Sequence, residues 1–143
     1  MATGDVTVFN EAKLGLVDGT HDLDTHVIKC AILDNTTAPT AADTTPALAD
    51  YTQVGTGGTY TSGGQTLTMT VAEAAGTVTV DSTTNPVWGQ DASNDVDAYW
   101  GLIYNDTDAG KAAIAFVELG GPVDMTAGTL TINWNANGIF TLA

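Results

Sequence analysis

Thr66-Leu67-Thr68-Met69-Thr70-Val71 alternates polar and apolar at every step, and Thr77-Val78-Thr79-Val80 does so again beyond Ala75-Gly76. A period of two describes a strand with one face in a core and the other in water. Two such runs across a short turn predict a hairpin, with Leu67, Met69 and Val71 facing inward. The outward rows are threonine, whose branched Cβ favours strands while its hydroxyl stays wet. Such a hairpin must lay its apolar row on another layer, so the question becomes what the rest of the chain supplies.

It supplies more strands. In residues 26–33, Ile28, Cys30 and Ile32 share one face and Val27, Ala31 and Leu33 the other, the pattern of a central buried strand. Ala98-Tyr-Trp-Gly-Leu-Ile-Tyr104 reads as a strand with aromatic weight. Residues 112–119 read as another strand apolar on both faces, broken by Gly120-Gly121-Pro122. Leu130, Ile132 and Trp134 alternate with Thr129, Thr131 and Asn133, and residues 139–142 form a last strand. Only Phe9, Ala12, Lys13, Leu14, Leu16 and Val17 have helical spacing, with Asn10 as the expected N-cap and Asp18-Gly19 as the stop. Residues 35–50 are rich in Thr, Ala and Pro and predict a long extended loop, with a helical turn at Ala47-Leu48-Ala49. Roughly seven or eight short strands with Gly and Asn turns indicate an all-β fold. The expectation is an antiparallel β-sandwich, jelly-roll or Ig-like, with residues 1–143 as one domain.

Charge narrows the function. Seventeen Asp and Glu stand against three Lys and no Arg, a formal net charge of -14 on 143 residues. Lys13, Lys29 and Lys111 are far apart in sequence. Binding nucleic acid requires Lys and Arg to neutralise phosphates, and an anionic membrane surface repels such a chain, so neither is expected as a partner. A partner with a basic surface fits better. Cys30 is the one cysteine, so no intrachain disulfide forms. No run approaches the length of a membrane span. The opening Met1-Ala2-Thr3-Gly4-Asp5 lacks the basic start and apolar stretch of a signal peptide, so synthesis in a cytoplasm is expected.

Sites of chemistry are scarce. Cys30 follows His26 by four residues, which in a strand separates them by about 13 Å, too far for a nucleophile and its base. An inert core thiol and two surface imidazoles are expected. Asp91, Asn94, Asp95 and Asp97 gather in one loop and Asp106 and Asp108 in another, but neither has the EF-hand spacing, so solvated turns are expected and no metal or cofactor is assigned. Trp100 and Trp134 lie in alternating strands and are expected in the core; Trp88, after Pro86, is the tryptophan expected to be exposed. Gly57-Gly58 and Gly63-Gly64 have no Lys or helix start behind them and read as turns.

Several stretches resemble a group of small tailed-bacteriophage virion proteins. They are Asn10-Glu-Ala-Lys13, Gly19-Thr-His-Asp-Leu-Asp24, Val27-Ile-Lys-Cys-Ala-Ile-Leu33 and Tyr60-Thr-Ser-Gly-Gly-Gln-Thr-Leu67. Val87-Trp88, Tyr99-Trp-Gly-Leu-Ile-Tyr-Asn-Asp-Thr107, Gly128-Thr-Leu-Thr-Ile-Asn-Trp134 and Asn137-Gly-Ile-Phe-Thr-Leu142 follow the same pattern. The resemblance implies a structural role in the particle without catalysis. With the charge, it implies a decoration (cement) protein on the outer capsid surface, bound to the major capsid protein, with a homotrimer as the expected assembly. The alternatives are a tail or neck component and, from another class, a glycan-binding module using Trp88 and the Asp91 loop with Ca²⁺. The expected contact segments are residues 2–9, through Val6, Val8 and Phe9, and residues 35–50, through Pro39, Pro46 and Leu48, with Tyr51 at the end. Both look weakly structured alone and able to order on binding.

Overall fold

A computed structural model describes residues 4–143 and places them in three antiparallel sheets with one α-helix. Strands β1 (Val6–Val8), β2 (Ile28–Leu33), β3 (Gln65–Thr66), β7 (Ala98–Asn105) and β8 (Ala113–Val123) form a five-stranded sheet in the order β1-β8-β7-β2-β3. Strands β4 (Met69–Ala74), β5 (Thr77–Ser82) and β10 (Phe140–Leu142) form a second sheet in the order β10-β5-β4. Strands β6 (Val87–Trp88) and β9 (Leu130–Thr131) pair alone. One hydrophobic cluster joins all three sheets to the helix, through residues such as Phe9, Ala12, Ile28, Leu102, Phe116, Val80 and Leu130. The chain is thus all-β apart from one short helix, as its periodicities predict.

The double-sided apolar runs become the centre. In β2 every residue but Lys29 is buried, and β7 and β8 carry the fully buried Leu102, Ile114 and Ala115. Gly101 in β7 is a packing requirement: a Cβ there would lie 2.7 Å from Ile132 Cδ1 and 2.9 Å from Val117 Cγ1. Gly120-Gly121-Pro122 does not end β8, contrary to expectation. The pairing jumps from Trp100↔Glu118 to Ala98↔Val123, so the extra residues bulge out at positive-φ glycines and the strand resumes.

The alternating run splits. Gln65 and Thr66 pair with β2 in the large sheet, and the chain then crosses to the small sheet at Met69. Leu67 is buried, Met69 half-buried and Val71 exposed, so the inward row fades along β4, an edge strand. The hairpin itself is as expected: Ala74 faces Thr77 across Ala75 and Gly76, whose φ values of 52° and 85° suit a type I′ turn.

Helix α1 (Asn10–Asp18) ends at Gly19, which takes φ 87° as the left-handed cap. Its N-cap is Phe9, not Asn10, because Phe9 is held in the core against Phe116 and Tyr51, with ring centroids 5.0 and 6.3 Å away. The helix rests on its small residues Ala12 and Gly15, leaving Leu14 and Val17 in solvent.

Candidate functional site

The two expected contact segments are built into the fold. β1 pairs with β8, Val6 opposite Val117 and Val8 opposite Ala115. Residues 35–50 are tied down at both ends. Asn10 donates its N–H to Ala41 O, Thr45 N–H to Glu11 Oε2 (2.8 Å), Ala113 N–H to Pro46 O (2.7 Å) and Leu48 N–H to Lys111 O. Thr40 donates to Asp43, and so does the Tyr51 hydroxyl (2.8 Å). Burial alone would raise the Asp43 carboxyl, but these donors outweigh it and hold it below the usual carboxylate range. Burial, then Asp43, push the Tyr51 phenol well up. This corrects the picture of loose segments that order on binding. Phe9, Pro39, Pro46 and Tyr51 are buried inside the chain, while Val6, Val8 and Leu48 are half-buried and keep some surface. The first part of that segment, Ala2 included, lies outside the described residues.

Two of the three lysines converge. Lys29 Nζ lies 3.0 Å from Asp106 Oδ2, Lys111 Nζ lies 2.9 Å from Asp106 Oδ1, and Lys111 also donates to the Asp106 carbonyl at 2.6 Å. Lys111, then Lys29, hold the Asp106 carboxyl below its ordinary value. Lys13 is exposed on α1 and reaches only Asn10 Oδ1 at 3.2 Å. A partner therefore meets a surface on which acidic groups far outnumber free cations.

The acidic loop is not a set of solvated turns throughout. Asp91 is buried, and its carboxylate accepts N–H bonds from Thr59 (2.8 Å), Ser93 (3.1 Å) and Tyr60 (3.4 Å). Burial raises its carboxyl, and these backbone donors together more than cancel that and lower it. A Cβ on Gly58 would run into this carboxylate. Asn94, also buried, donates to Gly55 O at 2.8 Å. Together they fasten the glycine-rich turns at 55–60. Among the described residues no group of three or more His, Cys, Asp or Glu is placed to hold a metal ion.

The histidines form a second closed node. Asn105, fully buried at the end of β7, offers its amide nitrogen to His26 Nδ1 (2.9 Å), Thr20 O (3.2 Å) and His21 Nδ1 (3.3 Å). Its Oδ1 accepts from the N–H of Thr107 and Asp108. His21 is buried, not a surface imidazole. It lies over Gly15, where an added Cβ would come within 2.5 Å of its ring. Burial holds its imidazole below the ordinary 6.5, against the pull of Asp108 and Asp18. Cys30 is fully buried, and burial pushes its thiol up to about 12, so it stays protonated and unreactive.

Against expectation, Trp88 is the most deeply buried of the three tryptophans. Trp88 is 2% exposed and packs on Tyr60, ring centroids 6.3 Å apart. Trp100 and Trp134 are half-buried, and their indole N–H groups bond Asn35 Oδ1 (3.2 Å) and Thr84 O (3.0 Å). Trp134 lines an open groove of about 530 Å³, with Phe140, Asn133, Asn135 and Asn137.

Comparison with protein-family models, with curated proteins and with solved structures finds no match.

Among the described residues no buried side-chain nitrogen or oxygen lacks a hydrogen-bond partner, so Asp91, Asn94 and Asn105 have their polar atoms engaged within the fold. Among the same residues no helix is long and apolar enough to cross a membrane. Sequence reasoning missed the anchoring role of Asp91, Asn94 and Asn105. The signal was present only as Gly-rich stretches and Asx residues far apart in the chain.

Proposed function

We propose that this chain is a tailed-bacteriophage capsid decoration (cement) protein, one β-sandwich domain that sits on the outer shell against the major capsid protein as a homotrimer and stabilises it. The observation that carries the reading is the distribution of charge. With -14 formal charges and two of three lysines held on Asp106, the surface is suited to docking on a basic protein face. Its own copies repel sideways, which spaces them over a lattice. The sequence resemblance supports the same class, and the cluster shared by all three sheets supports the sandwich, jelly-roll or Ig-like in type. In this reading the chain is made in the host cytoplasm, resides on the virion surface, and carries no catalytic step, cofactor, nucleic acid or membrane contact.

The test is rebinding. Purified protein is added to particles assembled without it, and bound copies are counted and located by cryo-electron microscopy. Copies spread across the shell, with higher heat resistance, are expected. Binding confined to one vertex would move the chain to the neck or tail, and no binding would end the virion reading. One observation favours a second reading. Trp134 and Phe140 beside three asparagines offer an aromatic platform with amides, the chemistry that holds a sugar ring. Binding on a glycan array that is lost in Trp134→Ala would support that reading over decoration.

A further inference from the structure

The apolar face of the small sheet extends past what covers it. Residues directly opposite in a ladder share a face, so Val71 lies beside Val80, and Val78 lies between Glu73 and Leu142. Val80 is buried in the core, but Val71 and Leu142 are 41% and 42% exposed. With Val78 and with Leu16 of α1 they line a hollow of about 390 Å³ that Asp22 and Asp24 also border.

The free edge of β4 runs alongside. β4 is the last strand of its sheet. Thr83 donates its N–H to Thr68 O, which sets the alternation of bonded pairs at Thr70, Ala72 and Ala74. The N–H and C=O of Met69, Val71 and Glu73 therefore point away from β5. Of the usual guards of an edge, the strand has no Pro, no Lys and no bulge in its register, and Glu73 is its one charge.

We propose that edge and hollow together are a docking site for an extended segment of a partner protein that carries Lys or Arg next to an aliphatic side chain. The segment adds a strand to β4 with an aliphatic side chain against Val71 at the near side of the hollow, and its Lys or Arg, from beyond the paired stretch, reaches across Val78 and Leu142 to Asp22 and Asp24. Charge decides against a second copy of this chain. A copy brings the same carboxylates to the same place, two of its lysines are held by Asp106, and Lys13 lies on a different element. The inference rests on the reading of the chain as a protein that sits against another protein.

The probe is a short fluorescein-labelled peptide of alternating Val and Thr with Lys at both ends, beside the same peptide ending in Glu. Anisotropy and ¹⁵N amide shifts are recorded on the full chain. The Lys peptide is expected to shift the amides of Met69, Val71, Glu73 and Leu142, and the Glu peptide to bind at least about tenfold more weakly. Val71→Pro removes one outward N–H while leaving the bonds to β5, and Leu142→Lys sets a cation in the hollow against the probe's own. Each is expected to weaken the Lys peptide by about tenfold or more. Shifts confined to other strands, equal binding of the two peptides, or full binding by both variants would overturn the docking site. A dimer in light scattering that Val71→Pro dissolves would overturn it too, in favour of a second copy. The two readings fail separately. If wild type and both variants coat deficient particles equally, the docking site is wrong and decoration stands. If the peptide pairs as described but wild type never binds particles, decoration is wrong and the docking site stands.

Discussion

Gly64 takes φ +70°, and a Cβ there would run into the Cys30 carbonyl oxygen. The obstacle is backbone of a central strand, which cannot rotate away as a side chain can. Gly64→Ala is expected to cost about 3 kcal/mol or more, seen as a lower urea midpoint at unchanged slope. Cys30, buried with its thiol raised to about 12, should not react with a disulfide reagent in the native protein at mildly alkaline pH, and should react at once in denaturant. His21 couples stability to pH. Its folded imidazole lies below the ordinary 6.5, so in acid the unfolded chain binds the extra proton. Stability is then complete above about 6.5 and falls as the pH drops through that value. Carboxylates titrate at lower pH, and their contribution is common to wild type and variant. Urea titrations at several pH values should therefore show a steeper acid loss in wild type than in His21→Gln.

At the scale of elements, the loop around Asp91 offers a direct comparison. Asp91→Ala leaves the N–H groups of Thr59, Tyr60 and Ser93 without their acceptor. It should lower Tm by about 5 °C or more and speed hydrogen exchange at residues 55–60. Asp95→Ala, at an exposed position in the same loop, should change neither. This contrast also marks the limit of sequence reading. Period-two alternation and two-sided apolar runs located β2, β5, the first part of β8 and the hairpin turn because they are local consequences of where a strand's side chains point. Which carboxylate gathers the N–H groups of Thr59 and Tyr60, about thirty residues away, is a property of the assembled loops, and Asp91 looks like Asp95 until they meet. The switch of sheets between Thr66 and Met69 was hidden for the same reason: alternation reports a face, not the sheet that owns it. Trp88 misled because a residue after Pro86 reads as loop, yet a two-residue pairing with β9 turns its ring onto Tyr60. Of the seven expected contact residues, Phe9 and Tyr51 join the hydrophobic core and Pro39 and Pro46 are buried, because apolar residues in a Thr-rich segment still need burial.

For the whole molecule, electrostatics sets the balance. Fourteen net negative charges on one small body oppose compaction, and salt screens that opposition over a distance of about 10 Å at 0.1 M. Thermal melting in rising NaCl should show Tm climbing from low salt towards about 0.5 M and then levelling. Asp106→Asn should weaken that climb little, since one partly exposed carboxylate with two lysines contributes about 1 kcal/mol or less.

The same clamp on Asp106 gives the protein a practical address. Among the described residues Lys13 is the one lysine not gripped by a carboxylate, and it stands out on the solvent side of α1. A succinimidyl dye or gold-cluster reagent will find its quickest lysine there, marking one end of the body for imaging and leaving the β4 edge bare.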